Sequence, residues 1–305
     1  MLLVNAAHPL RADAAALLPR CTFPAPGTSV TCAVSGGADS TALLLQAVAA
    51  GLIVTAVHVD HGLRPGSAAE ADIVAANAAA LGAAFRRETV HIGDGPNLEA
   101  RARTARYAVL PPDVMTGHTA DDQAETVLIN LLRGAAAGGL AGMRPSPRRP
   151  LLALRRSETE GLCAAAGLPT VTDPSNTDPR HLRNRVRHEL LPQLAALAGR
   201  DLVPVLARQA DVLRADDDLL DDLATALDPT DAKALAAAPL PLARRAVRRW
   251  LTTTHPPDLA TVERVLAVAR GEALAADVGA GRQVRRSRQR LALFGPAEDP
   301  TDRLA

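Results

Sequence analysis

The chain has 305 residues, 48% hydrophobic and 22% charged, and its 34 basic and 33 acidic side chains leave a formal charge of +1. That length supports more than one core, and no run nears the ~20 consecutive apolar residues of a membrane span, so a soluble chain with no membrane partner is expected. The N-terminus, MLLVNAAHPLRAD, lacks the basic start and long apolar run of a secretory signal, which makes a cytoplasmic location the expectation.

Residues 29–34 (SVTCAV) read as a buried strand and residues 41–50 as a helix, with Ser35-Gly36-Gly37-Ala38-Asp39-Ser40 between them. A second strand is expected over 52–59, running into His58-Val59-Asp60-His61-Gly62-Leu63-Arg64, then a helix over 67–82 and a strand over 85–92. Asn97 reads as the N-cap of LEARARTARYAVL, and a short strand at 114–116 leads into a helix over 121–133. Apolar strands alternating with helices imply an α/β fold, a parallel sheet covered on both faces. A Pro/Gly/Arg-rich stretch over 138–150, a helix near 157–166, the turn-rich DPSNTDPR and the basic RNRVRHELL complete a first domain, residues 1–195. Residues 196–305 turn Ala/Leu-rich and read as a smaller, mainly helical domain, with a helix near 259–270 and a hairpin over 281–294.

The glycine loop stands at the carboxyl end of a parallel strand, where open α/β sheets bind ligands. Adjacent glycines allow a tight turn and close approach, and Ser40 and the leading helix N–H groups offer donors to phosphate. A plain strand-to-helix turn capped by Asp39 or Ser40 is the alternative for two glycines alone. Lys233, the single lysine, lies in Ala-rich sequence with no glycine before it, which excludes a Walker A loop. The complete string SGGADS resembles the pyrophosphate loop of the N-type ATP pyrophosphatases. That resemblance implies ATP bound by Ser35, Gly36, Gly37, Ala38, Asp39 and Ser40, with Asp39 at Mg²⁺. His58, at the neighbouring strand edge, is expected to face the same crevice.

Thr116-Gly117-His118-Thr119-Ala120-Asp121-Asp122-Gln123-Ala124-Glu125 opens the acidic helix. Carboxylates suit a helix N-terminus, and capping by Asp121 is one explanation. Asp122 and Glu125, three apart on one face, could instead meet one cation or ammonium group. With SGGADS, HVDHGLR, NLEARARTARY, TGHTADDQAET, LLRG, GLAGM, RPLL and DPSNTDPRHLRNRVRHELLP in order over about residues 29–195, the chain resembles the tRNA(Ile)-lysidine synthetases of shorter type. Two details depart from the family pattern: Ala135-Ala136 stand where Ser-Gly is usual, and His118-Thr119 replaces a pair of histidines.

The resemblance implies a PP-loop ATPase domain and a ligase. ATP adenylates the C2 oxygen of cytidine 34 in the CAU anticodon of tRNA(Ile), free lysine displaces AMP, and a homodimer is a candidate assembly. In its terms Asp39, Asp122 and Glu125 are catalytic, Asp122 and Glu125 bind lysine, and Gly117 and His118 join the ATP site. Arg183, Arg185 and Arg187, with Arg245 and Arg249 in the second domain, are expected on tRNA phosphates. The run of Asp216, Asp217, Asp218, Asp221 and Asp222 is expected toward solvent, leaving a polarised second domain. Two other readings compete. A PP-loop tRNA sulfur transferase would need reactive cysteines, whereas Cys21, Cys32 and Cys163 are scattered and form no CxxC. A non-catalytic RNA-binding protein would not need Asp39, Asp122 and Glu125.

Overall fold

The computed structural model describes residues 9–60, 62, 67–91, 93, 98–172 and 178–295. His61, Leu63, Arg64, the expected cap Asn97, and residues 173–177 of the DPSNTDPR turn lie outside the described residues. Apolar, β-branched text builds three parallel strands, β1 (Ser29–Ala33), β2 (Ile53–Asp60) and β3 (Ala84–Thr89), paired in that order. Cys32 pairs with Ala56, and Ala56 with Phe85. On the far side of β1, Met115 forms a parallel bridge to Cys32, its N–H donating to Thr31 O (2.8 Å) and its carbonyl accepting from Ala33 N (2.9 Å). The chain therefore steps from β1 to β2 to β3 and then returns to the opposite side of β1. That reversal is a topological switch point, and the carboxyl ends of β1 and the Met115 strand border the crevice it opens.

Helices α1 (Pro9–Leu17), α2 (Ala38–Ala49), α3 (Ser67–Ala80), α4 (Leu98–Val109), α5 (Ala120–Leu132), α6 (Ala137–Leu140) and α7 (Arg156–Ala165) belong to this unit. The middle of α2, Ser40 through Ala47, is buried on all sides, which suits its run of Ala and Leu. Its Leu43 and Leu44 share a core with Cys32, Val54, Ala56, Leu151, Leu154 and Leu162, so α7 is fixed against the first strands.

Two compact units divide at Asp211/Val212. This lies beyond the composition change near residue 195. The helices α8 (Leu182–Arg185), α9 (Leu191–Ala198) and the start of α10 (Val203–Thr225) bury Val186, Leu191, Leu194, Val203 and Leu206 against Ala120, Ala124, Leu128 and Ile129 of α5. In the second unit α11 (Ala232–Ala237), α12 (Leu240–Leu251) and α13 (Leu259–Arg270) pack Leu235, Val247, Leu251, Val265 and Leu266 against Ala276, Val284 and Leu291 of an antiparallel sheet. That sheet, β4 (Ala275–Gly279), β5 (Arg282–Ser287) and β6 (Arg290–Phe294), has one strand more than the expected hairpin. Asp231 and Asp258 cap α11 and α13. Among the described residues no single helix is long and apolar enough to cross a membrane.

Candidate active site

The glycine loop folds tightly on itself. Gly36 has a left-handed backbone (φ +95°), its carbonyl accepts from Val171 N (2.9 Å), and a Cβ there would meet Val171 Cγ2 at 3.1 Å. The Ser40 hydroxyl donates to Gly37 O (2.9 Å) and accepts from Ser35 N (3.1 Å), so it ties the loop together. Gly37 precedes α2 with no side-chain cap, which leaves the first N–H groups of the helix, on Ala38 and Asp39, available to an anion. His58 is 3% exposed and its Nδ1 donates to Val34 O (2.9 Å). It braces the strand that feeds the loop rather than opening onto the crevice.

Gly117 brings the second motif onto the first. A Cβ at this position would lie 2.5 Å from Asp39 O, so only glycine lets the 116–118 backbone rest on the first turn of α2. His118 Nδ1 pairs with Thr116 Oγ1 (2.7 Å). Burial lowers its pKa against the pull of Asp122, with Arg149, Arg183 and Arg103 adding to the lowering.

The acidic residues divide their work differently from the expected pattern. Asp121 does not cap α5. Thr119 occupies that position, and Asp122 reaches back with Oδ2 to its N–H (2.9 Å) and hydroxyl (3.1 Å). Asp121 accepts from Arg156 N (2.8 Å) and from Arg155 Nε (3.1 Å) and Nη2 (3.2 Å). Burial would raise its pKa, but these bonds outweigh it and hold the carboxyl below its ordinary value.

Asp39, Asp122 and Glu125 converge on one side chain. Arg156, at the first position of α7, donates from Nε to Asp39 Oδ2 (3.2 Å), from Nη2 to Asp122 Oδ1 (3.1 Å) and from Nη1 to Glu125 Oε1 (3.3 Å). Thr159, one turn on, donates to Asp39 Oδ1. Asp39 is still pushed above the usual carboxylate range, chiefly by burial, with Asp122 adding to it and Thr159 and Arg156 opposing. Glu125 is 1% exposed; its Oε2 is buried and has no hydrogen-bond partner. The motif reading did not single out Arg156 or Thr159. Their only signal was position: α7 starts at Arg156, with three residues between it and RPLL, whose two leucines are buried.

The basic run turns inward. Between α8 and α9 the helix widens into a π turn, Val186–Leu190. Such turns carry an extra residue and recur at functional sites. From it Arg187 Nε donates to Glu125 Oε1 (2.7 Å), with its Nη2 3.9 Å from Asp122 Oδ1. Arg183 lies 3.8 Å from Glu125 Oε2 and donates to Thr126 Oγ1 (3.2 Å). Arg183 and Arg187 thus belong to the acidic centre, contrary to the phosphate-facing expectation, because the buried Glu125 demands counter-charge. Arg185 alone of the three is directed outward, 3.5 Å from Glu189.

In the second unit Arg245 bonds Asp217 and Asp221 on α10, so the arginine stripe and the aspartate run meet instead of facing apart. The expected polarisation fails there because paired charges on adjacent helices attract. Arg249 is exposed and donates to Ala224 O (3.0 Å).

The three cysteines are free thiols, and burial pushes Cys21 up to about 11 and Cys32 and Cys163 up to about 12. Burial thus disfavours the thiolates, and the reactive cysteines that the sulfur-transfer reading needs are not found among the three. Among the described residues no three His, Cys, Asp or Glu side chains form a metal cluster.

Comparison with known proteins covers most of the chain. Residues 11–194 match the family model of the PP-loop domain, and residues 231–292 match that of the TilS substrate binding domain. A tRNA(Ile)-lysidine synthase of Mycolicibacterium paratuberculosis is 47% identical over 235 residues, covering 72% of this chain and 73% of that protein. One from Nocardia farcinica is 41% identical over 303 residues, covering 91% and 95%. Among solved structures, a U34-tRNA thiolase of Methanococcus maripaludis aligns with a TM-score of 0.51 at 18% identity, over 67% of this chain and 78% of that one, which shows a shared fold.

Proposed function

The chain belongs to the tRNA(Ile)-lysidine synthase family, and we propose that its ligase chemistry takes place where Asp39, Asp122 and Glu125 converge beside the glycine loop. The enzyme consumes ATP to join lysine to C2 of cytidine 34 in tRNA(Ile). The C2 oxygen attacks the α-phosphorus, pyrophosphate leaves, and the amine then displaces AMP from C2. The single observation that carries the assignment is the convergence of three carboxylates from two distant motifs at the switch point of the sheet.

In this reading the open N–H groups at the start of α2 hold the pyrophosphate end of ATP as charge develops on it. Asp39, on the same turn, is the carboxylate that fits Mg²⁺. That ion takes one or two carboxylates with phosphate oxygens and water. Bound there, it would neutralise charge on the phosphates. Asp122 Oδ1 and Glu125 receive the lysine ammonium. Glu125 Oε2, which accepts no hydrogen bond and has only Arg183 at 3.8 Å, offers an acceptor in a dry setting, where an ammonium hydrogen bond is strong, and a carboxylate there can take the proton that the amine loses before attack. Exposed arginines, Arg185 and Arg249, remain as RNA phosphate contacts, with cytidine 34 drawn from its stack to reach the crevice.

The test is incubation with a CAU-anticodon tRNA(Ile) transcript, ATP, Mg²⁺ and labelled lysine. Lysine-dependent label in RNA with stoichiometric AMP is expected. ATP consumption without labelled RNA overturns the proposal.

A further inference from the structure

The acidic centre is already neutral. Asp39, Asp122 and Glu125 carry three negative charges, and Arg156, Arg183 and Arg187 supply three positive ones within 4 Å. An ammonium group entering between Asp122 and Glu125 therefore meets guanidinium groups in its place. One of them must move, and the geometry distinguishes them. Arg187 makes the shortest of these contacts to Glu125, at 2.7 Å. Arg183 is at the far edge, 3.8 Å from Glu125 Oε2, and is held also by Thr126. Arg156 divides its three nitrogens among three carboxylates at 3.1 to 3.3 Å, with no two-pronged pair to any of them. Arg–carboxylate recognition is strongest in the two-pronged form, so its hold on each partner is weak.

Arg156 is also the member of this trio that bonds Asp39, on the turn whose N–H groups face an anion. Its backbone is pinned, because its N–H donates to Asp121 Oδ2 at 2.8 Å, and its side chain keeps 20% of its surface open to solvent. Thr159 holds Asp39 Oδ1 independently, so Asp39 stays in position when Arg156 leaves.

We infer that Arg156 is an exchangeable counter-ion: it fills the ammonium position of the free enzyme and transfers to phosphate when ATP or the adenylated base occupies the loop, thereby admitting lysine. This rests on the reading that Asp122 and Glu125 receive lysine. Arg156 is a positioning residue that couples the two half-sites. Lysine binds poorly until phosphate is present, and by linkage lysine tightens nucleotide binding by the same factor.

The experiment is calorimetric titration of lysine into the full chain, alone and with saturating α,β-methylene ATP and Mg²⁺. The wild-type Kd for lysine is expected to tighten at least tenfold with the analogue. Arg156→Met is expected to bind lysine with similar Kd in both states, and Arg156→Lys, which keeps the charge but cannot reach three carboxylates, to show an intermediate ratio. No tightening in the wild type overturns the inference whatever the variants do, and so does full tightening in Arg156→Met. Glu125→Gln separates the underlying reading: if its lysine affinity equals that of the wild type in both states, lysine binds elsewhere and the site assignment itself falls.

Discussion

Arg156 and Arg245 each bridge carboxylates from a neighbouring helix, and the two clusters differ in where their acids originate and in what surrounds them. The partners of Arg245, Asp217 and Asp221, lie four apart on one helix, and Asp221 is 58% exposed. The partners of Arg156 come from the glycine loop and from α5, and they include a glutamate shut away from water with one oxygen unbonded. In the first case water can replace Asp221 at little loss while Asp217, 14% exposed, stays against Arg245, so the pairs act as a tie between α10 and α12. In the second, charge is held in low dielectric, where each change of partner matters. The same residue types thus form a clasp in one unit and the proposed reactive centre in the other.

Several measurements would break or sharpen that contrast. The largest effect is expected for Asp122→Asn and Glu125→Gln, which should cut the single-turnover rate of lysine incorporation about 10²- to 10³-fold, the scale of losing a preorganised polar contact. Near-normal rates would place the chemistry elsewhere. Arg187→Ala strips Glu125 of its shortest ion pair and should lower stability in urea unfolding by about 2 kcal/mol, the penalty of an undercompensated buried charge.

A pH series on Asp121→Asn comes next. The folded-state pKa of Asp121 is depressed, so its contribution is fully present above the ordinary value of about 3.9 and is lost as pH falls through the folded pKa. The Tm gap between wild type and variant should be widest above pH 5 and close in more acid buffer; a gap independent of pH would detach Asp121 from that ion pair. The smallest effect is expected for Arg245→Ala, at most about 1 kcal/mol. Its salt slope for tRNA binding should also match the wild type, whereas Arg249→Ala should reduce the slope by about 1. A slope change in Arg245→Ala would mean that RNA draws it from Asp217.

Much of the first unit was legible because its signals are local. Apolar runs such as SVTCAV and LIVTAVHV stop at Ser35-Gly36 and Asp60, and the observed β1, β2 and α5 begin and end within about two residues of expectation. Asp39, Asp122 and Glu125 announce themselves by spacing and motif. Arg156 does not, since basic charge in this chain is almost entirely arginine and one more carries no local mark. Its role exists only after Leu151 and Leu154 seat α7 against α2. The pairing of Arg245 with Asp217 is likewise a fact about two packed helices, as is the late unit boundary, set by Val203 and Leu206 on α5. The β4 strand escaped because AADVG has little β-branched content, so it is held by its pairing with β5.

The widened turn at Val186–Leu190 also limits how this segment can vary in length. Successive helical residues are offset by about 100°, so deleting one residue here would restore an ordinary helix and rotate everything on one side relative to the other. Either Leu191 and Leu194 would keep their seat on α5, or Arg183 and Arg187 would keep Glu125, but not both. A surface loop absorbs insertions and deletions freely. This helix cannot, and a more regular backbone would come only with loss of the centre that it serves.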